Sequence, residues 1–320
     1  MGDKGRETGQ REYALMKAFL YRCAIAVWNR LPGQLHLARI LKGLDLVPHR
    51  LRQDLRFSGG FSLDFQGTQI RFYASHDDGS AQHLFWNGLD GGWDATSLRV
   101  WATLARESSV VLDIGSNIGH YALVAKKVNP DAEVFAFEPS RRAFEALCRN
   151  VALNATPIHT ANIALSDVTG TATFHDLHVL TAAGSLVSDA DFKDHPQANS
   201  YEVQVQTLAA YAASNAISAI DLVSIDVERH EGAVIRGMGD LLHRHRPNVV
   251  LEILNEQIGD EVMPLFDGLE YSFYWIDELR GLVPTSALRR PRQSANSYNF
   301  LVCRKASVGD VQSLLVRDGP

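Results

Sequence analysis

From residue 110 onward, short apolar runs alternate with stretches of helical periodicity. The pattern predicts strands at Val110–Asp113, Glu133–Phe137 and Ile158–Ala164, separated by helices at Ile118–Val128 and Arg141–Asn154. The alternation then resumes as strand Leu222–Asp226, a helix from about Glu231, strand Val249–Ile253, a helix through Val262–Phe266, and late strands near Tyr271–Ile276 and Phe300–Arg304. Because strands joined through helices at this spacing pair in parallel, we expect an α/β fold with helices on both faces of one sheet.

Residues 1–56 precede this pattern and form a predicted basic, helical N-terminal extension. Helical periodicity covers Tyr13–Trp28 and Leu35–Leu44, and residues 11–56 hold nine Lys or Arg against three Asp or Glu. One interpretation is that the extension packs or dimerises within a homo-oligomer. The other is a peripheral contact of residues 11–56 with an anionic membrane surface or an acidic partner.

A second unit is expected over residues 57–320. It opens with alternating apolar residues in Phe61–Phe65 and Gln69–Tyr73, which predict a β-hairpin. Residues 171–206 interrupt the alternation of strands and helices with short strands and loop. A segment of this length between core elements is typical of a lid or a substrate-recognition region.

The composition narrows the function classes. The formal net charge is -6 in spite of the basic extension, so the main body lacks the basic surface that nucleic-acid binding needs, and no nucleic-acid partner is expected. Cys23, Cys148 and Cys303 are far apart and form no C-x-x-C pair, which favours a reducing, cytoplasmic location. The chain starts with polar residues, and no uncharged apolar run approaches the roughly 18–20 residues needed to cross a bilayer.

A glycine-rich turn, Asp113-Ile-Gly115-Ser-Asn117-Ile-Gly119, joins the first strand to the first helix. Glycines let the backbone approach a ligand closely, and the helix start supplies unpaired N–H groups. A dinucleotide site needs glycine at the middle position to make room for a pyrophosphate, but Asn117 occupies it here. Asn117 can instead hydrogen-bond a smaller, zwitterionic methionine tail, with the Asp113 carboxylate facing its positive charge. The turn therefore favours S-adenosyl-L-methionine over a nicotinamide cofactor.

Further candidate cofactor residues lie near the ends of the neighbouring elements. Glu138 ends the second strand, where a carboxylate can accept both hydroxyls of a ribose. Ser166 and Asp167 end the third strand, on the expected adenine side of the crevice. Tyr121, in the first helix, is expected to pack near the cofactor.

Several motifs together resemble the FkbM family of S-adenosylmethionine-dependent methyltransferases. They are Val111-Leu-Asp-Ile-Gly-Ser-Asn-Ile-Gly-His-Tyr121, Phe137-Glu-Pro139, Arg149-Asn150 with Asn154, Ala161-Asn-Ile-Ala-Leu-Ser-Asp167, Ile220-Asp-Leu-Val-Ser-Ile-Asp-Val-Glu228 with His230-Glu231, and Leu251-Glu252. The resemblance covers roughly residues 57–304. The combination is specific, although many methyltransferases share the first motif alone.

The resemblance implies a seven-stranded, Rossmann-like class I methyltransferase sheet with helices on both faces and an antiparallel last strand. It implies O-methylation of a hydroxyl on a sugar or natural-product metabolite. By the same resemblance, Asp113, Gly115, Asn117 and Gly119 would contact the methionine and sulfonium end of the cofactor. Glu138, followed in its motif by Pro139, would contact the ribose, and Ser166 and Asp167 the adenine.

Two positions depart from the family pattern. Arg229 stands where the family's D-V-E-G-x-E motif has glycine, and a side chain there could alter the substrate pocket. The family's T-L-D segment reads Thr207-Leu-Ala209, so any role of that carboxylate is absent or moved.

Candidate catalytic residues should cluster at the carboxyl ends of the fourth and fifth strands, beside the cofactor crevice. They are Asp226, Glu228, His230, Glu231 and Glu252. His230 suits proton removal from a hydroxyl because its ordinary pKa lies near neutrality. The structural alternative is that Glu228 and Glu231 precede or open a helix, where negative charge is favoured by the helix dipole.

The carboxylates of this cluster could also gather oxygen ligands for Mg²⁺. No second ligand spacing supports that use, and we predict no metal site. The leading hypothesis is an S-adenosylmethionine-dependent O-methyltransferase acting on a small hydroxylated substrate. The alternatives are an N-methyltransferase of a small molecule and a non-catalytic protein that binds S-adenosylmethionine.

Overall fold

The structure is a computed structural model. It describes residues 16–17, 19, 21–52, 54–177, 184–186, 198–291 and 297–316. The predicted first helix therefore starts outside the described residues. Part of the predicted lid, including His178 and His195, also lies outside the described residues. Within the described ranges, no helix combines the length and apolar character that a membrane span requires.

The described strands occur along the whole chain from the hairpin onward. They are β1 (Gly59–Phe65), β2 (Thr68–Ala74), β3 (Val110–Ile114), β4 (Glu133–Phe137), β5 (His159–Ala161), β6 (Ala164–Leu165), β7 (Gly170–Leu177), β8 (Gly184–Ser185), β9 (Ala198–Gln206), β10 (Leu222–Ile225), β11 (Asn248–Glu252), β12 (Tyr271–Asp277), β13 (Gly281–Thr285) and β14 (Asn299–Arg304).

Helices separate most of these strands. They are α1 (residues 21–28), α2 (Gln34–Gly43), α3 (His49–Arg52), α4 (Gly79–Asn87), α5 (Ala95–Arg106), α6 (His120–Val128), α7 (Arg141–Asn154), α8 (Leu208–Ser214), α9 (Glu231–Met238), α10 (Asp240–His245), α11 (Glu256–Val262) and α12 (Val308–Val311). A 3₁₀ turn, Met263–Phe266, extends α11 and accounts for the helix predicted through Phe266.

The main sheet has the strand order β13-β12-β14-β11-β10-β3-β4-β5. Strands β3, β4, β5, β10 and β11 pair in parallel, while β14 is antiparallel to both of its neighbours. Seven of these strands confirm the predicted doubly wound sheet with its reversed last strand. The eighth, β13, forms an additional hairpin with β12 at the edge.

Alternate side chains of the parallel strands enter two different cores. In β3, Val111 packs into the core that contains α5, α6 and the hairpin, while Leu112 packs into the core that contains α8 and α9. In β4, Val134 packs into the first of these cores and Phe135 into the second. Successive strand residues point to opposite faces, so a sheet covered on both sides needs apolar residues throughout. This explains why β3 is buried along its whole length.

The predicted third strand, Ile158–Ala164, is wrong in its extent. β5 ends at Ala161, and Ala164–Leu165 pairs instead with β9 in a separate four-stranded sheet of order β6-β9-β7-β8. The apolar run Ile163–Leu165 looked like the end of one strand because periodicity alone does not show which sheet a residue joins. Much of the predicted lid is therefore an ordered sheet, built mainly from β7 and β9.

The N-terminal helices pack against the core through several apolar residues, including the partly buried Ile25, Leu35, Leu37 and Leu41. Trp28 and Ala38 are buried against the core, and the Trp28 indole N–H donates to the carbonyl of Arg56 at 2.7 Å. Large apolar side chains remain exposed over the same segment, namely Met16, Phe19, Tyr21, Val27, Leu31, Ile40, Leu44 and Leu46. A homo-oligomer, a membrane surface and an acidic partner all stay predictions for this extension.

Two asparagines of α7 attach the hairpin to the main domain. Asn150 accepts a hydrogen bond from the Tyr73 N–H at 2.9 Å and donates to the Ile118 carbonyl at 2.9 Å. Asn154 accepts from the Arg71 N–H and donates to the Arg71 carbonyl. The two side chains therefore pair part of the free edge of β2. They also give a physical reason for this part of the family motif.

We predict that Asn150→Ala lowers the free energy of unfolding by about 2–4 kcal/mol, because it leaves a half-buried N–H and a buried carbonyl without partners. Chemical denaturation measures this value. Asn215→Ala is the control, since Asn215 is exposed and donates one bond to its own helix, and it should change stability by less than about 0.5 kcal/mol. Equal effects of the two substitutions would contradict the proposed role of Asn150.

Candidate active site

A cavity of about 430 Å³ lies over the carboxyl ends of the central strands. The register explains its position, because Ile114 of β3 lies level with Phe137 of β4 and with Ile225 of β10, which in turn lies level with Leu251 of β11. The residues that follow these four strand positions are therefore neighbours. They are Gly115, Glu138, Asp226 and Glu252, and all four line the cavity.

The glycine turn contacts the backbone of Asp226, the residue that follows β10. Gly115 has a φ of +83°, and a Cβ at this position would lie 1.8 Å from the carbonyl oxygen of Asp226. Only glycine fits so close an approach at a left-handed φ. Asn117 also has a left-handed φ, of +51°, which asparagine tolerates better than most residues. Its side chain lines the cavity, with Nδ2 at 3.4 Å from the Ser80 hydroxyl.

Three of the predicted cofactor residues lie behind the turn and do not line the cavity. Asp113 is buried and accepts the Ala122 N–H at 3.0 Å, and burial raises the pKa of its carboxyl to about 7. Gly119 precedes α6 with a φ of +86°, and the buried Tyr121 accepts the Trp101 indole N–H through its carbonyl. These residues hold the turn in position.

Glu138 has its two carboxylate oxygens held by backbone donors. The Asn117 N–H donates to one oxygen and the Ser140 N–H to the other, each at 2.8 Å. Burial raises the pKa of this carboxyl to about 7, and the neighbouring Asp176 and Asp113 add to the rise. Each oxygen keeps a second lone pair, so the side chain can still accept hydrogen bonds from a ligand. Pro139, the next residue, also lines the cavity.

Ser166 and Asp167 do not line the cavity. The Ser166 hydroxyl lies 2.8 Å from Nε2 of His230, and Asp167 forms a salt bridge with Arg236 at 3.0 Å. Apolar residues line this part of the cavity, namely Phe137, Ile163, Ala164, Leu165, Phe174 and Leu186, together with the polar Ser140, Arg142 and Asp176. Because the chain leaves the main sheet after β5, Ile163, Ala164 and Leu165 line the cavity, and Ser166 does not.

Three acidic side chains meet on the opposite side of the cavity. Asp226, Glu228 and Glu252 each offer one oxygen, and these oxygens all lie within 4.8 Å of one another. Asp226 is accessible from the cavity, yet protein surrounds it on its other sides. Loss of bulk water therefore raises its pKa, and burial together with the neighbouring carboxylates raises the pKa of Glu228 to about 8. The same causes raise the pKa of Glu252 well above its ordinary value.

The remaining two candidate catalytic residues differ in exposure. His230 lines the cavity, and burial lowers the pKa of its imidazole, so the ring is neutral near pH 7. Glu231 opens α9 and is completely buried, with one carboxylate oxygen accepting the Arg229 N–H at 3.1 Å. Burial raises its pKa to about 7. Glu231 does not line the cavity.

The loop that carries these residues contains two left-handed residues in succession. Glu228 has a φ of +52° and Arg229 a φ of +75°. Glycine adopts such a conformation freely, which explains why the family pattern has glycine where this chain has Arg229. Arg229 does not line the cavity. The replacement of the family's glycine by Arg229 therefore bears on the backbone conformation of the loop and not on the lining of the cavity.

Several cavity residues were not among the predicted site residues. They are Ser80, His83, Trp93, Asp94, Arg142, Asp176, Tyr298 and Asn299. Asp94 precedes α5 without capping it and accepts a hydrogen bond from Asn299 at 2.9 Å, and burial with nearby carboxylates raises its pKa to about 7. Asp176 is buried and accepts bonds from Ser140 and Tyr201. Except for Asp94, which precedes the helix leading into β3, their distance along the chain from the glycine turn gave no signal that they reach the same cavity.

The order of the seven strands, the reversed last strand and a cavity over the carboxyl ends define a Rossmann-like class I methyltransferase fold. A sequence model of the Methyltransferase FkbM domain matches residues 113–273, about half of the chain. The chain belongs to the FkbM family of methyltransferases.

Curated relatives are distant in sequence. The hexuronic acid methyltransferase AglP of Haloferax volcanii is 25% identical over 195 residues, which are 60% of this chain and 76% of AglP. The 2-O-methyltransferase NoeI of Sinorhizobium fredii is 26% identical over 177 residues, 52% of this chain and 72% of NoeI. The 31-O-demethyl-FK506 methyltransferase FkbM of Streptomyces tacrolimicus is 30% identical over 172 residues, 46% of this chain and 66% of that protein.

Among solved structures, the methyltransferase FkbM from Methylobacillus flagellatus has a TM-score of 0.42 and 14% sequence identity. The similarity covers 71% of this chain and 55% of that one.

We predict that Gly115→Ala destabilises the protein far more than Gly67→Ala. Both glycines have a left-handed φ, of +83° and +80°, but an added Cβ at Gly67 meets no atom within 4 Å. Gly67→Ala should therefore cost about 1 kcal/mol in unfolding free energy, while Gly115→Ala adds a collision with the backbone of Asp226. Denaturant unfolding of both variants measures the difference, and equal losses would show that the turn does not need this close approach.

Proposed function

We propose that the protein transfers a methyl group from S-adenosyl-L-methionine to a hydroxyl of a small, sugar-like or natural-product acceptor. The observation that carries the proposal is the single cavity bounded by Glu138 on one side and by Asp226, Glu228 and Glu252 on the other. Ribose recognition and acceptor chemistry would thus share one space. S-adenosylmethionine would supply a methyl group activated by a positively charged sulfonium.

The cofactor side of the cavity has the donors and acceptors that an adenosyl group needs. Glu138 retains free lone pairs for two ribose hydroxyls, and its carboxylate is fixed by the two backbone N–H groups. Phe137, Ile163 and Leu165 form an apolar wall beside it that suits a purine ring. Asn117 and the Gly115 turn are positioned for the polar methionine end. These features support the cofactor class without any contact from Ser166 or Asp167.

The acceptor side carries groups that can orient a hydroxyl and remove its proton. Asp226, Glu228 and Glu252 offer oxygens that accept a hydrogen bond from the acceptor. His230 lines the same cavity as a neutral imidazole, so it can take up the proton that a hydroxyl must lose. The names of the relatives AglP, NoeI and FkbM favour a hydroxyl of a sugar or a natural product as the acceptor.

We predict that affinity for S-adenosylhomocysteine is roughly tenfold weaker at pH 6 than at pH 8. Ribose hydroxyls donate to the ionised Glu138 carboxylate, and because its pKa is raised to about 7, the ionised fraction falls as the pH drops through that value. Isothermal titration calorimetry measures the affinity. Glu138→Gln should bind more weakly and lose most of the pH dependence, while Glu133→Gln, an exposed change on the same strand, should behave as the native chain does.

An affinity that does not change between pH 6 and pH 8 in the native chain would show that an ionised Glu138 does not hold the ribose. The substitution at Glu133 guards against a general effect of removing a carboxylate from β4.

The reaction itself is tested with S-adenosylmethionine carrying a tritiated methyl group and a panel of acceptors. The panel contains hexuronic acid glycosides, neutral glycosides, amino sugars and hydroxylated macrolides. We predict label in a base-stable ether on a hydroxylated acceptor. Asp226→Asn should reduce the rate at least about tenfold, because it replaces a carboxylate on the acceptor side with an amide, whereas Asp240→Asn on α10 should not.

Label found only on the amines of amino sugars would establish N-methylation instead. Binding of S-adenosylhomocysteine without transfer to any acceptor in the panel would favour a non-catalytic role.

A further inference from the structure

The three carboxylates on the acceptor side have the spacing of ligands around one small cation. Two oxygens on opposite sides of a bound Mg²⁺ lie about 4.2 Å apart, and around Ca²⁺ they lie about 4.8 Å apart. The oxygens of Asp226, Glu228 and Glu252 all fall within 4.8 Å of one another. Small rotations of the side chains would bring all three oxygens onto one ion.

A fourth carboxylate lies next to these three with an unused acceptor. Glu231 is completely buried, and its second oxygen has no hydrogen-bond partner within the described residues. The charge of Glu231 raises the pKa of Glu228 and Glu252, and the charge of Asp226 raises the pKa of Glu231, so this carboxylate lies close to the group. A buried carboxylate oxygen without a donor is costly unless a positive charge compensates for it.

The neighbouring charges that act most strongly on Glu228 and Glu252 are all carboxylates, including Asp94 in the case of Glu252. His230, the cavity's nearby base, has its Nε2 beside the Ser166 hydroxyl and its imidazole is neutral. Several acidic groups thus converge on one cavity wall.

We propose that Asp226, Glu228 and Glu252 bind one divalent cation of the Mg²⁺ class, with the Glu231 carboxylate as a buried counter-charge behind them. The ligand set contains only carboxylate oxygens, which favours Mg²⁺, Mn²⁺ or Ca²⁺ over Zn²⁺ or Cu²⁺. Three carboxylates leave other coordination positions open to the cavity. Water fills them in the absence of an acceptor.

The role of the ion rests on the proposed methyl transfer. Open coordination positions beside one another favour an acceptor that presents two neighbouring oxygens, such as adjacent hydroxyls or a hydroxyl next to a carboxylate. The ion would fix that acceptor in one orientation, with His230 on the same cavity wall to receive the hydroxyl proton. The substrate class is therefore narrowed from hydroxylated compounds in general to compounds with a chelating oxygen pair.

The test uses Mn²⁺ alone as the probe, with the full chain and no cofactor or acceptor. Protein freed of metal with EDTA and dialysed is titrated with MnCl₂, and free Mn²⁺ is followed by electron paramagnetic resonance. We expect one bound Mn²⁺ per chain, displaced by Mg²⁺. Glu252→Gln and Asp226→Asn should each weaken binding at least about tenfold, since even loss of a partner outside the ligand set has that effect at metal sites.

Glu256→Gln is the matched control, because Glu256 follows the same strand but is exposed at the start of α11. It should bind Mn²⁺ as the native chain does. Thermal unfolding gives a second measurement that shows whether a variant is folded. Mg²⁺ should raise the melting temperature of the native chain, and Glu252→Gln should lose this rise while melting in EDTA at least as high as the native chain, because it removes a repelling charge.

Absence of bound Mn²⁺ in the native chain, or equal binding by Glu252→Gln and Glu256→Gln, would overturn the metal site. Calorimetry with S-adenosylhomocysteine separates this result from failure of the proposed function. Cofactor binding without metal binding would mean that the acidic group holds protons or a cationic ligand, and that the methyl-transfer proposal still stands.

Discussion

The backbone of the Gly115 turn lies directly against the carbonyl of Asp226, and the rest of the site depends on that contact. It is possible because β3 and β10 are parallel neighbours whose last residues are level, so the chain leaves both strands at the same height. The same register holds between β3 and β4 and between β10 and β11. A shift of one residue in any pairing would move a side chain from the cavity to the opposite face of the sheet.

Level strand ends also explain the unusual charge of the cavity. A carboxylate follows β4 and β10, as Glu138 and Asp226, and β11 ends in one, Glu252, so acidic groups from distant parts of the sequence converge at one end of the sheet. Burial raises the pKa of Glu138, Glu231 and Asp94 to about 7 and of Glu228 to about 8. Perturbed groups of this kind concentrate at functional sites, because a fold gains no stability by bringing like charges together. A positively charged cofactor and a metal ion would each relieve this repulsion.

Much of the fold follows from patterns that the sequence shows openly. Buried parallel strands are continuous apolar runs, so the cores of β3, β4, β10 and β11 were predictable, and the hairpin was predictable from its strict alternation. The glycine turn and Glu138 were predictable because local chemistry identifies them. The exit of the chain after Ala161 was not, since Ile163–Leu165 is apolar in either sheet. Asp176 was not predictable either, because it reaches the cavity only through the pairing of β7 with β9.

We propose that one cavity holds the cofactor between Glu138 and the Gly115 turn and presents its reactive end to the three carboxylates. A crystal structure with S-adenosylhomocysteine tests it most directly. We expect the ribose hydroxyls on Glu138, the adenine against Ile163 and Leu165, and the sulfur facing the side of the cavity formed by Asp226, Glu228 and Glu252. A ligand bound outside this cavity, or reversed so that its adenine lies against Asp226, would contradict this placement of the cofactor.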